Sequence, residues 1–194
     1  MRPLRLSDHE AWRTANLTHP PSESIHDPGP RPAGALGRMA FRGLLDRNSR
    51  LQRADLFYAF ALFDRAEKTM FGLVSLQILA RIMVQSAWIG WRIYGQHRRR
   101  GYAREGVLAV FEIAFRELSL HRLEAGIEPE NRISARLART VGMRKEASQK
   151  RSIHQRGDWV DLDIYSIHSE DCGIHGPPTF ALSLGDRRRV EPRK

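Results

Sequence analysis

Three apolar runs, Leu56–Phe63, Met70–Leu79 and Ser86–Tyr94, follow one another with short polar breaks, and the third leads directly into a glycine and a long helical stripe. Each run has strand length and strand composition, so together they predict an antiparallel meander. The charged stretch Asp64–Lys68 is its first turn. After the third run comes Gln96-His97-Arg98-Arg99-Arg100-Gly101-Tyr102-Ala103. Beyond it Ala103, Val107, Val110, Phe111, Ala114 and Leu118 fall on one stripe, which predicts a helix over Tyr102–Leu118. A strand that turns through a basic, glycine-containing loop into a helix is built to hold an anion. The first amides of a helix lack backbone partners, and the helix dipole is positive there. The spacing Arg98-x-x-Gly101-x-Ala103 is neither the GxxxxGK[ST] loop of nucleotide hydrolases nor the GxGxxG of dinucleotide folds.

The rest of the chain extends this frame. Arg2–Leu6 reads as a short strand, and Ser7-Asp8 as the cap of a helix over His9–Asn16. Residues 19–34 are dense in proline and turn formers and read as a loop. Ala35–Asp46 is apolar at helical spacing. Past the main helix, His121–Glu128 alternates as a strand, Asn131–Val141 reads as a helix ended at Gly142, and Arg144–His154 with Asp158–Ile167 forms a hairpin about Arg156-Gly157. The order predicts one α/β domain over residues 1–168, with a mixed, mostly antiparallel sheet of about seven strands flanked by helices. Residues 169–194 read as a polar tail with a basic end.

Composition narrows the chemistry. The 194-residue chain carries a formal charge of +10, which favours anionic partners such as phosphorylated cofactors or RNA. A solvated arginine-rich surface would give the same number. One cysteine, Cys172, excludes an internal disulfide and a cysteine-based zinc cluster. No metal is expected. The start, Met1–Leu6, has no signal-peptide shape, and no apolar stretch is long enough to span a bilayer. A cytoplasmic protein with no membrane contact is the expectation.

Two further segments carry polar groups that chemistry could use. In Glu128-Pro129-Glu130-Asn131-Arg132-Ile133-Ser134, Asn131 serves equally as a helix cap or as a group facing a ligand, and Ser134 offers a hydroxyl beside it. In Ser86–Ile93, Gly90 inside a strand predicts a bulge that would splay this strand from its neighbour. Trp88 and Trp91 there suit packing.

Taken together, Arg98-x-x-Gly101-x-Ala103, His121-Arg122-Leu123-Glu124-Ala125, Glu128-Pro129-Glu130-Asn131-x-x-Ser134 and Val141-Gly142-Met143 resemble the GCN5-related N-acetyltransferase (GNAT) superfamily. Within it the chain is most similar to the RimJ/RimL type of ribosomal-protein N-terminal acetyltransferase. The resemblance is strongest from Ala87 to Met143. It implies a GNAT fold with splayed central strands and acetyl-CoA lying between the strands Trp88–Tyr94 and Leu123–Glu128. The pyrophosphate would rest on Arg98, Arg99, Arg100, Gly101, Tyr102 and Ala103. The pantetheine would pair near Arg92 and Ile93, and Asn131 and Ser134 would flank the thioester. Ser134 would serve the leaving thiolate, and Glu124 and Glu128 are candidate general bases. The chain departs from the family where it has Trp88 in place of a strand glutamate, Ala138 in place of a tyrosine, and Arg99 in place of a loop glycine.

Three functions remain open at this stage. The acceptor is a protein N-terminus or a small amine such as an antibiotic, polyamine or amino acid. The third reading is a basic ribosome- or RNA-binding protein with weak catalysis. Ribosome association and a monomer or homodimer fit all three.

Overall fold

The computed structural model describes residues 1–22, 24–27 and 29–175. The end of the expected tail, from residue 176, lies outside them. A six-stranded sheet has the order β1-β2-β3-β4-β6-β5. It is built from β1 (Phe57–Phe63), β2 (Met70–Ala80), β3 (Ser86–Ile93), β4 (Arg122–Ile127), β5 (Arg144–Gln155) and β6 (Asp158–His168). Neighbours are antiparallel except β3 and β4, which run parallel.

Strand alternation sends successive side chains to opposite faces. On one face Val74, Leu76, Ala87, Ile89, Leu123, Ala125 and Ile127 meet two helices, α3 (Tyr102–Glu112) and α4 (Arg132–Thr140), in the main core. The other face carries a second core around β1 and β2. There α1 (His9–Leu17) and α2 (Arg38–Arg53) bring Trp12, Phe41, Leu44 and Leu45 onto Ala61, Met70 and Tyr94.

Three elements differ from the sequence expectation. The expected first strand is a single bridge, Arg2 to Ala61, so the sheet has six strands instead of about seven. Pro3 has no amide to extend the ladder, and the chain then turns into a 3₁₀ turn at Leu6–Asp8, where the Arg5 amide donates to the Asp8 carboxylate at 2.7 Å. The expected helix Tyr102–Leu118 is α-helical to Glu112 and then widens into a π turn, Ile113–Glu117. That wider turn keeps both Ala114 and Phe115 in the core. The helix expected over Ala35–Asp46 starts later and ends later: Leu36 closes a 3₁₀ turn, fully buried, and extended Gly37 begins α2.

Candidate active site

The site begins where the sheet comes apart. β3 and β4 pair at Ser86–Arg122, Ala87–Leu123 and Trp88–Glu124, and no further. Beyond that row β3 stays bonded to β2 as far as Ile93, and β4 to β6 as far as Ile127. The two facing edges are therefore open. The bulge expected at Gly90 is absent: β2 and β3 run in unbroken register from Gly72–Ile93 to Ile78–Ala87, and their irregularity lies at the far end. The opening comes from divergence of β4.

Past the wide end of the gap the chain makes the basic loop. A 3₁₀ turn, Gly95–His97, precedes it. Arg99 then takes φ 61° and Gly101 φ 85°, and α3 starts at Tyr102. Alternating left-handed residues fold successive amides around a concavity, as in anion-binding nests. Among the described residues no backbone carbonyl accepts from the amides of Arg99 through Arg104. Gly101 supplies a conformation that costs L-residues energy. Arg99 and Arg100 are exposed, whereas Arg98 is turned onto Asp27 at 2.5 Å.

That contact belongs to a feature the sequence did not announce. The proline-rich segment 19–34 is fastened to both arms of the gap. On the β3 arm, buried His19 accepts the Gly95 amide at Nδ1 (2.8 Å), so Nε2 carries the hydrogen that meets Asp27 at 3.0 Å. Arg92 donates to the Gly29 carbonyl at 3.0 Å, with its guanidinium 5.3 Å from the Tyr94 ring centre. On the β4 arm, His26 meets Glu128 at 3.3 Å. Burial alone would raise the Asp27 carboxyl, but hydrogen bonds from His19, Arg98 and the Gly29 amide outweigh it and hold the group down at about 2. Two histidines and an aspartate among prolines were the available signal. Their partners lie far along the chain and so were not legible.

The expected site residues fall into two groups. Strand alternation places Trp88, Gly90 and Arg92 on β3, and Arg122, Glu124, Gly126 and Glu128 along β4, on the face away from α3 and α4. Glu124 accepts from Arg122 at 2.7 Å and from the Trp88 indole at 3.4 Å. Arg122 also holds Glu146 and donates to His168 Nε2 at 2.9 Å. Arg122 and Ser166 hold the Glu146 carboxyl at about 2. Glu128 is gripped by Arg156 and His26, and Arg156 chiefly keeps it below the usual carboxylate range. It is a clasp more than a free base. Extending the register, Gly90 and Gly126 form the next row of the gap, with no side chain on either arm. At Gly126 a Cβ would stand 2.8 Å from Leu162 Cδ1.

The second group sits at the start of α4, just beyond the end of β4. The Asn131 side chain accepts the Ser134 amide at 3.2 Å, which makes it the helix cap. Ser134 is half-buried beside it. Among the described residues no cluster of His, Cys, Asp and Glu is arranged to hold a metal, and no helix is long and apolar enough to cross a membrane.

The family described as "Acetyltransferase (GNAT) domain" matches residues 1–144, and the chain belongs to it: the fold and the split sheet are those of an N-acetyltransferase, an acyl-transferring enzyme. A probable N-acetyltransferase of Bacillus subtilis, YjcK, is 33% identical over 128 residues, 66% of this chain and 70% of that protein. The [ribosomal protein uS5]-alanine N-acetyltransferase of Escherichia coli is 26% identical over 173 residues, 86% of each chain. Among solved structures, Mycobacterium smegmatis RimJ in complex with CoA-disulfide superposes with a TM-score of 0.73 at 22% identity, covering 88% of this chain and 81% of that one. A spermidine N-acetyltransferase SpeG chimera of Vibrio cholerae and hSSAT superposes at 0.67 and 20% identity, covering 88% and 96%.

Proposed function

We propose that this protein acetylates the α-amine of a protein N-terminus, using acetyl-CoA bound between β3 and β4. The carrying observation is the parting of those strands after the Trp88–Glu124 row, next to a loop whose amides have no backbone partner among the described residues. Those features fit the cosubstrate. The amides of Arg99–Ala103 suit a pyrophosphate, with Arg99 and Arg100 adding charge, and the open strand edges by Arg92 and Ile93 suit an amide-bearing pantetheine arm. When bound, acetyl-CoA supplies an acetyl thioester.

The residues then divide the work. Backbone amides on the open edge of β3 stabilise negative charge on the acetyl oxygen. Glu124, on the acceptor face beside Trp88, takes the proton that the attacking nitrogen gives up, directly or through water. Ser134 donates a hydrogen bond to the departing sulfur. Glu128 and His26 close the wide end of the face, so the amine enters at the Gly90–Gly126 row, whose own two residues carry no side chain.

An N-terminal amine asks least of this arrangement. Its pKa lies near about 7.7–8.0, so roughly a tenth is neutral at pH 7, whereas a lysine near about 10.4 is almost wholly charged. The reading is supported by the relatives that act on a ribosomal protein. A small polyamine is the second reading. The Glu124 carboxylate beside the Trp88 ring suits an ammonium group, and a spermidine acetyltransferase shares the fold. Dependence on acetyl-CoA points to the cytoplasm as the setting.

A panel of N-terminal peptides and polyamines, incubated with acetyl-CoA and read by mass spectrometry, tests the proposal. Acetylated peptides with untouched polyamines are expected. The reverse pattern establishes the second reading, and no acetylated product with any amine refutes both.

A further inference from the structure

The outward face of α2 holds a concentration of charge that the acetyl-transfer site does not use. Arg38, Arg42, Arg47, Arg50 and Arg53 stand against one acid, Asp46, on this helix. At about 100° per residue the five arginines fall within one half of the helix circumference, while Phe41, Leu44 and Leu45 occupy the other half and enter the core. All five are exposed, and among the described residues none has a carboxylate partner. Arg2, Arg81, Arg122 and Arg156 each hold a carboxylate within 3.0 Å, whereas Arg13, Arg65, Arg104, Arg132 and Arg136, like the five of α2, have none among the described residues. What distinguishes the strip is that five of these uncompensated arginines share one side of a single helix.

We infer that this strip is a docking surface for RNA, contacted through its phosphate backbone. The proposal deepens the acetyl-transfer reading, on which its choice of partner rests. Five arginines over about 22 Å of helix match a row of phosphates, and the guanidinium fork binds phosphate in two places at once. A membrane is a poor match, because the outward half presents Met39 as its exposed large apolar residue and keeps Phe41 inside. A DNA reader would need base-reading side chains on a helix free to enter a groove, whereas α2 lies against β1 with its apolar side committed. RNA is also the polyanion that accompanies a ribosomal-protein acceptor such as the one named for the Escherichia coli relative. Packing of α2 beside β1 and β2, on the acceptor face of the sheet, would hold an RNA-bound substrate near the gap.

The test uses the full chain with saturating CoA, which occupies the Arg99–Ala103 loop, and a fluorescein-labelled RNA hairpin with a stem of about 20 base pairs read by anisotropy. The triple variant Arg42→Gln, Arg50→Gln, Arg53→Gln should bind at least roughly tenfold more weakly near 100 mM salt. Its slope of log affinity against log salt should be shallower by about 2 to 3. Thermal stability and CoA affinity should stay at the wild-type values, since these exposed side chains have no carboxylate partner among the described residues. Unchanged RNA affinity and slope in the variant overturn the assignment. So does equal or tighter binding of a DNA duplex of the same sequence, or of poly-glutamate, which would make the partner DNA or an acidic protein. RNA binding is read without acetyl transfer, so failure of one reading leaves the other standing.

Discussion

Replacing Gly101 with alanine isolates what the loop backbone contributes. Gly101 sits at φ 85° and ψ −11°, and a Cβ built there has nothing within 4 Å. The substitution therefore adds no clash and removes no charge. It adds only the cost of holding an L-residue in the left-handed region, about 1–2 kcal/mol. That cost must appear in one of two places. If the loop keeps its shape, the folded state bears it, and Tm falls by about 2–4 °C per kcal/mol for a chain of this size. If the first turn of α3 relaxes, the amides of Arg99–Ala103 no longer converge, and CoA affinity falls by roughly 5- to 30-fold. Calorimetric titration of CoA and a thermal melt of the same sample measure both. Arg99→Gly is the complement: it relieves a left-handed residue at φ 61°, so it should raise Tm by a comparable few degrees while removing one charge from the loop. Wild-type Tm together with wild-type CoA affinity in Gly101→Ala would refute the claim that this backbone forms the anion site.

Three other outcomes follow from the geometry. Glu124→Gln and Ser134→Ala should each lower kcat, the first by about 100-fold or more, with CoA affinity nearly unchanged in a direct titration. Asp27 is held at about 2 in the folded state, below its ordinary carboxylate value. Its contribution is thus present above about pH 4 and disappears as pH falls toward 2, so urea midpoints should drop over that window in wild type and drop less in Asp27→Asn. Gly126→Ala should destabilise the fold by about 1–3 kcal/mol, seen as a lower Tm, because its Cβ would stand 2.8 Å from Leu162 Cδ1.

Much of this architecture was written in local patterns. The three meander runs, the stripe from Ala103 to Ala114 and the hairpin about Arg156-Gly157 each depend on neighbours in sequence, and each matches an element of the fold. Where the pattern misled, a tertiary force or a special backbone decided. α2 runs on to Arg53 because its arginines are good helix formers, even though its apolar stripe is narrow. The strand read at Arg2–Leu6 stops after one bridge because Pro3 has no amide to donate and the chain turns at Leu6. Gly101 was legible as the residue before a helix because a glycine ahead of an apolar stripe is a local signal, and it does precede α3. Asn131 was legible as a cap or a ligand group, and the structure gives it the cap. The clasp of His26 on Glu128 and the hold of His19 on the Gly95 amide join residues far apart in sequence, so no periodicity could announce them.

A crystal structure with CoA bound tests the central claim most directly. Pyrophosphate oxygens are expected within hydrogen-bonding distance of the amides in Arg99–Ala103, with the pantetheine arm lying between Ile89–Ile93 and Ala125–Ile127. CoA bound elsewhere, or strands β3 and β4 closed on each other beyond the Trp88–Glu124 row, would contradict it.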